Sequence, residues 1–174
     1  MEEVILVDVT DQQVGTLEKM EAHRKGLLHR AFSVFIFNDR NEMLLQQRAI
    51  SKYHSGGLWT NACCSHPRPG EETETAAVRR LQEELGFTTI LTKIYDFHYE
   101  AVFDNGLIEH EIDHVYFGKF TGEIIPNPSE VQDYCYKTLD ELKTTLQTHP
   151  HKYTAWFNIA FPTVAEWLNA HPTI

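Results

Sequence analysis

The Asp104-Asn105-Gly106 step limits the folds open to this chain more than any other feature. It separates two long runs, Ile90–Val102 and Leu107–Phe120, both rich in β-branched and aromatic residues. An Asn-Gly pair between such runs signals a hairpin, because glycine accepts the positive φ that tight hairpin loops need. Two long strands joined so closely run antiparallel, so a purely parallel, doubly wound sheet is excluded.

Further strands are predicted at Val4–Val9, Arg30–Asn38, Glu42–Arg48, Leu58–His66 and Val131–Lys137. A turn is expected at Asp11–Gly15, with a short helix or ordered loop from Thr16 to about His23. Glu72–Leu85 predicts a helix: Val78, Leu81 and Leu85 recur on one face, and Gly86 stands where a C-terminal cap belongs. Two more helices are expected at Thr138–Thr148 and Phe157–Ala170. Strands and helices mixed with a hairpin give an α/β (α+β) sandwich around a mixed sheet. At 174 residues, 42% of them hydrophobic, the chain suits one sizeable core, read as a single domain over residues 1–174.

The formal net charge of −10 argues against nucleic acid and against anionic lipid surfaces as partners. It leaves room for an anionic small molecule, since a few clustered cations and a metal reverse the sign locally. No apolar run approaches a membrane span, and MEEVILVDVT lacks the features of a secretory signal. Cys63 and Cys64 are adjacent and Cys135 stands alone, which suggests no disulfide framework and fits a cytoplasmic protein with reduced thiols.

On the Glu72–Leu85 helix, Arg79–Glu83 and Arg80–Glu84 are i, i+4 pairs, which alone read as solvent-facing ion pairs. The same glutamates also offer hard oxygen ligands for Mg²⁺. Glu71, Arg79, Glu83, Glu84, Gly86 and Phe87 together resemble the Nudix box, G-x5-E-x7-R-E-U-x-E-E-x-G-U with U aliphatic. That register asks for glycine at position 65 and glutamate at position 80, where this chain has Ser65 and Arg80; Phe87 fills an aliphatic slot. Losing the acid at position 80 takes away part of the carboxylate cluster of the hydrolytic members, so the resemblance implies a Nudix-type α/β/α sandwich with impaired hydrolase chemistry.

Immediately before the box runs Trp59-Thr60-Asn61-Ala62-Cys63-Cys64-Ser65-His66-Pro67, and downstream comes Glu109-His110-Glu111 on a predicted strand. With His23, His29, T-L-E-K at Thr16–Lys19, R-A-I-S-K at Arg48–Lys52 and Y-T-A-W at Tyr153–Trp156, these resemble the type 1 isopentenyl-diphosphate isomerases. The match spans about Leu6 to Trp156, with Ala155 in place of an expected proline.

The resemblance implies interconversion of isopentenyl and dimethylallyl diphosphate through a tertiary carbocation, without flavin. Cys64 and Glu111 would carry the protons, Tyr99 would hydrogen-bond Glu111, and the Trp156 ring would stabilise the cation. His23, His29, His66, Glu109 and Glu111 would hold one Mn²⁺, Mg²⁺ or Zn²⁺. Lys19, Arg48, Lys52 and Arg80 would bind the diphosphate, with Mg²⁺ held by Glu84 and the Cys64 backbone carbonyl. Arg80 would then serve as a phosphate clamp in the slot of the lost acid. The partner is a small isoprenoid diphosphate, and the protein a monomer or weak homodimer. The other histidines, His54, His98, His110, His114, His149, His151 and His171, receive no role, and His110 should face away from its acidic neighbours. A Nudix hydrolase and an inactive binding scaffold are the rival readings.

Overall fold

A computed structural model describes residues 2–171. Its strands are β1 (Glu3–Val7), β2 (Gln13–Glu18), β3 (His29–Phe37), β4 (Met43–Arg48), β5 (Trp59–Asn61), β6 (Cys63–Ser65), β7 (Leu91–Val102), β8 (Ile108–Lys119) and β9 (Val131–Lys137). The α-helices are α1 (Lys19–Lys25), α2 (Thr73–Leu85), α3 (Leu139–Thr148) and α4 (Ala155–Ala170). A 3₁₀ turn at Pro150–Lys152, which hydropathy alone does not reveal, joins α3 to α4.

β7 and β8 form the expected hairpin. Its loop spans residues 103–107, closed by the Phe103 N–H donating to the Leu107 carbonyl, with Gly106 at φ 80° and its N–H donating to the Phe103 carbonyl. At the other end of the chain the expected helix is present only from Lys19, as α1, because residues 16–18 belong to β2, paired antiparallel with β1. The Asp8 carboxylate accepts from the backbone N–H groups of Thr10 and Gln12, and this side-chain turn reverses the chain early enough for β2 to form. Leu58–His66 is likewise two short strands instead of one, β5 on β4 and β6 on β3.

The nine strands share one mixed sheet. β3 is its axis: β8 lies parallel along one edge and β6 antiparallel along the other. Alternation along β3 sends Phe32, Val34 and Ile36 to one face, where they pack with Ala76, Ala77, Leu81 and Leu85 of α2. Phe35 and Phe37 go to the opposite face, against Phe157, Ala160, Phe161 and Val164 of α4. The sheet is thus sandwiched between α2 on one side and α4 on the other. At the end of α2, Gly86 has φ 77°, and a Cβ there would lie 2.8 Å from the Ile125 carbonyl oxygen, so only glycine ends the helix cleanly. No helix among the described residues is long and apolar enough to cross a membrane.

Candidate active site

The register of β3 with its neighbours assembles the site. His29 pairs with Glu111 on one side, and Ser33 pairs with Cys64 on the other. Paired residues share a face, so Cys64 and Glu111 flank the same strand on the α4 side of the sheet. Cys63, one residue earlier, points the other way and is wholly buried in the core beneath α2. Strand alternation alone therefore separates the cavity-facing cysteine from a core filler.

Cys64, His66, Tyr99, Glu109, Glu111, Trp156, Arg48 and His54 line one small cavity. The Cys64 thiol donates to the Asn61 side-chain oxygen at 3.0 Å, and its sulfur accepts the Trp156 indole N–H at 2.9 Å. Burial, with the Asp113 carboxylate nearby, pushes the Cys64 thiol up to about 12. Tyr99 donates its hydroxyl to both glutamates, at 2.6 Å to Glu111 and 3.0 Å to Glu109. The two carboxyls diverge. Burial and the charge of Glu111 raise Glu109 well above the usual carboxylate range. Burial would raise Glu111 too, but hydrogen bonds from His29 and His66 override it and hold that carboxyl well below its ordinary value.

Four of the five residues assigned to the metal come together directly. His23, His29, His66 and Glu111 each present a ligand atom within 4.8 Å of the others. His23 and His29 donate their Nδ1–H groups to the carbonyls of Lys19 and Leu27, both at 2.7 Å, which turns Nε2 inward. The inward Nε2 of His23 is buried without a partner among the described residues. Burial keeps His23 and His66 uncharged, lowering them to about 4 and about 3. Burial opposes protonation of His29 as well, but contact with Glu111 raises it. A buried, ionised Glu111 beside the uncharged imidazoles of His23 and His66, the former with an unpartnered nitrogen, is a donor set that a divalent cation fits. Glu109, the fifth residue, falls in a second group with His23 and His54.

His54, to which the sequence assigns no role, also lies here. It is buried in the cavity wall, with Nε2 3.0 Å from Glu109. His110 does face away from its acidic neighbours, toward His98.

Arg48 is buried, with its guanidinium 5.2 Å from the centre of the Trp156 ring. Lys19, Lys52 and Arg80 cluster nearby, each held by a carboxylate. Lys19 pairs with Glu2 at 3.2 Å, Lys52 with Glu130, and Arg80 with Glu84 at 2.6 Å and Glu130 at 3.3 Å. Burial lowers the Lys19 ammonium; Glu2 opposes this, and the positive charges of Lys52 and Arg80 add to the lowering. Glu84 is buried and also accepts from Gln46 Nε2 at 2.9 Å. Glu2, Gln46, Glu130, Ser33 and Asp113 all support the site, and none has a sequence signal apart from the register that brings it there. Ser33 joins Asp113 to Cys64, donating its hydroxyl to Asp113 at 2.7 Å and lying 3.5 Å from the sulfur.

The NUDIX domain family model matches residues 27–157. The chain is 52% identical over 168 residues to an isopentenyl-diphosphate Delta-isomerase of Pectobacterium atrosepticum, covering 97% of this chain and 94% of that one. It is 52% identical over 155 residues to isopentenyl-diphosphate Delta-isomerase 1 of Aromatoleum aromaticum, covering 89% of this chain and 88% of that one. Among solved structures it resembles DR0079 from Deinococcus radiodurans, with a TM-score of 0.71 at 19% identity over 85% of this chain and 90% of that one.

Proposed function

The chain belongs to the NUDIX domain family and, within it, to the isopentenyl-diphosphate Delta-isomerases, and from that premise we propose that it interconverts isopentenyl and dimethylallyl diphosphate. The observation that carries the reading is the placement of Cys64 and Glu111 on either side of β3, facing one cavity.

Moving the double bond means adding a proton to one carbon and removing one from a neighbouring carbon, through a tertiary carbocation. Cys64 and Glu111 are the two proton carriers, and their roles exchange when the reaction reverses. Their environments set complementary starting states: burial keeps the thiol protonated, while His29 and His66 keep Glu111 ionised. The Trp156 N–H on the sulfur stabilises a thiolate, and Tyr99 stabilises the Glu111 carboxylate. The carbocation would meet the indole face of Trp156, an interaction of about 2 kcal/mol when desolvated. Aromatic walls at Tyr99 and Trp156 exclude the water that would trap the cation.

Lys19, Arg48, Lys52 and Arg80 bind the diphosphate, the guanidinium of Arg80 offering paired donors to phosphate oxygens. A divalent ion at His23, His29, His66, Glu109 and Glu111 would supply the positive charge that offsets two buried carboxyls. Mg²⁺ held by Glu84 and the Cys64 carbonyl would neutralise the diphosphate. The partner is this small molecule, with no nucleic acid or membrane, and the chain works in the cytoplasm as a monomer or weak homodimer.

The test is purified protein, Mg²⁺ and isopentenyl diphosphate in deuterated water, without flavin or reductant. Proton NMR should show dimethylallyl diphosphate carrying solvent deuterium. Release of phosphate or pyrophosphate without an isomerised product would overturn the reading in favour of a hydrolase.

A further inference from the structure

His54 lies on the loop after β4, outside the ligand set carried over by resemblance. Its ring is clamped from several sides. It stacks on Phe103 with centroids 4.6 Å apart and planes 11° apart, meets Tyr53 edge-on at 4.4 Å, and places Nδ1 3.2 Å from the Ser55 hydroxyl. The side chain is only 2% exposed. The clamp aims Nε2 into the cavity, where it has no hydrogen-bond partner among the described residues. The Glu109 oxygen is 3.0 Å away but lies off the ring's N–H direction, so the separation makes no hydrogen bond. An unpartnered buried imidazole nitrogen costs free energy unless something else meets its lone pair.

His54 Nε2, His23 Nε2 and a Glu109 oxygen lie within 4.8 Å of one another, and His23 belongs as well to the group with His29, His66 and Glu111. An imidazole nitrogen has one lone pair and cannot bridge two ions. The two groups therefore serve a single cation between them. We propose that His54 is a further ligand of that cation, giving it a protein shell of four imidazoles and two carboxylates.

The consequence is chemical. Six protein donors fill the octahedral preference of an ion such as Mn²⁺ and leave no position for water or substrate. The ion then fixes and charges Glu109 and Glu111 without touching the diphosphate, which falls to Lys19, Arg48, Lys52, Arg80 and Glu84. The inference rests on the metal-holding part of the proposed function, and its test reads no turnover, so the two can fail separately.

Unmutated protein labelled with ¹⁵N-histidine and loaded with one equivalent of ¹¹³Cd²⁺ should show cadmium–nitrogen coupling at four imidazoles, including His54. Coupling at His23, His29 and His66 alone would overturn the proposal. Loaded instead with one equivalent of Mn²⁺, the protein should relax water protons weakly, having no water on the ion. His54→Ala should raise that relaxation by the contribution of one bound water and weaken Mn²⁺ binding by at least tenfold. A folded His54→Ala protein with unchanged relaxation and affinity would equally sink it.

Discussion

The two faces of the sheet handle charge in opposite ways. On α2, Arg79 meets Glu71 and Glu83, and Arg80 meets Glu83, Glu84 and Glu130, so each cation has more than one anion. In the cavity beneath α4 the supply runs short: His29, His66 and Tyr99 all converge on Glu111, while Nε2 of His23 and of His54 have no partner among the described residues. Redundant pairing on one face holds α2 in place and presents Arg80 and Glu84, the residues proposed for the diphosphate; incomplete pairing of the imidazoles on the other marks the place proposed for the cation.

The strongest way to break the contrast is to remove the one anion everything converges on. Glu111→Gln should lower kcat by about 10³-fold or more, since it removes a proposed proton carrier, and steady-state kinetics will measure it. The same change should reduce bound metal, as read by elemental analysis after gel filtration. Cys64→Ala should cost a similar factor, whereas Cys63→Ala, on the α2 face, should leave kcat within a few-fold of the parent. Inactivation by Cys63→Ala would mean that strand alternation misassigns the two thiols.

Next in size is a change that makes the α2 face short of cations. Arg80→Glu restores the residue the Nudix box expects, yet it places a fourth carboxylate among Glu83, Glu84 and Glu130. KM for isopentenyl diphosphate should rise by about 10- to 100-fold, the worth of a charge-assisted contact, with no diphosphate hydrolysis gained. Appearance of pyrophosphate release would show that Arg80 is what suppresses hydrolysis on this scaffold.

How far the sequence revealed each face follows from the kind of interaction that builds it. The α2 face is readable where its pairs lie three or four residues apart, as Arg79–Glu83 and Arg80–Glu84 do, and the β7–β8 hairpin because its turn is local. Cys64, His66 and Glu111 were found through motifs whose members are neighbours in the chain. The residues that escaped are those delivered by register between distant strands. Gln46 reaches Glu84 from β4, Glu130 spans Lys52 and Arg80 from just before β9, and His54 reaches Glu109 across 55 positions of chain. β2 escapes for a related reason: residues 16–18, Thr-Leu-Glu, read as the start of the helix or loop that follows until β1 supplies the partner strand.

The smallest expected effect sharpens the scaffold side. Glu71 accepts two hydrogen bonds from Arg79, at 2.7 and 2.8 Å, tying the loop after Pro69 to α2. The bond from Arg79 holds the Glu71 carboxyl below its ordinary 4.5. A group with a depressed folded pKa contributes stability that is fully present above its unfolded value and is lost as pH falls through the folded one. Glu71→Gln should therefore cost about 1 kcal/mol in urea unfolding near pH 7, a modest figure because the pair is partly solvated. The gap between parent and variant should narrow once the pH drops below about 4.5 and close as Glu71 protonates. A gap that stays constant with pH would mean that the charge on Glu71 does not hold the loop. Activity should be unchanged at neutral pH, because nothing in this pair faces the cavity where Cys64 and Glu111 meet.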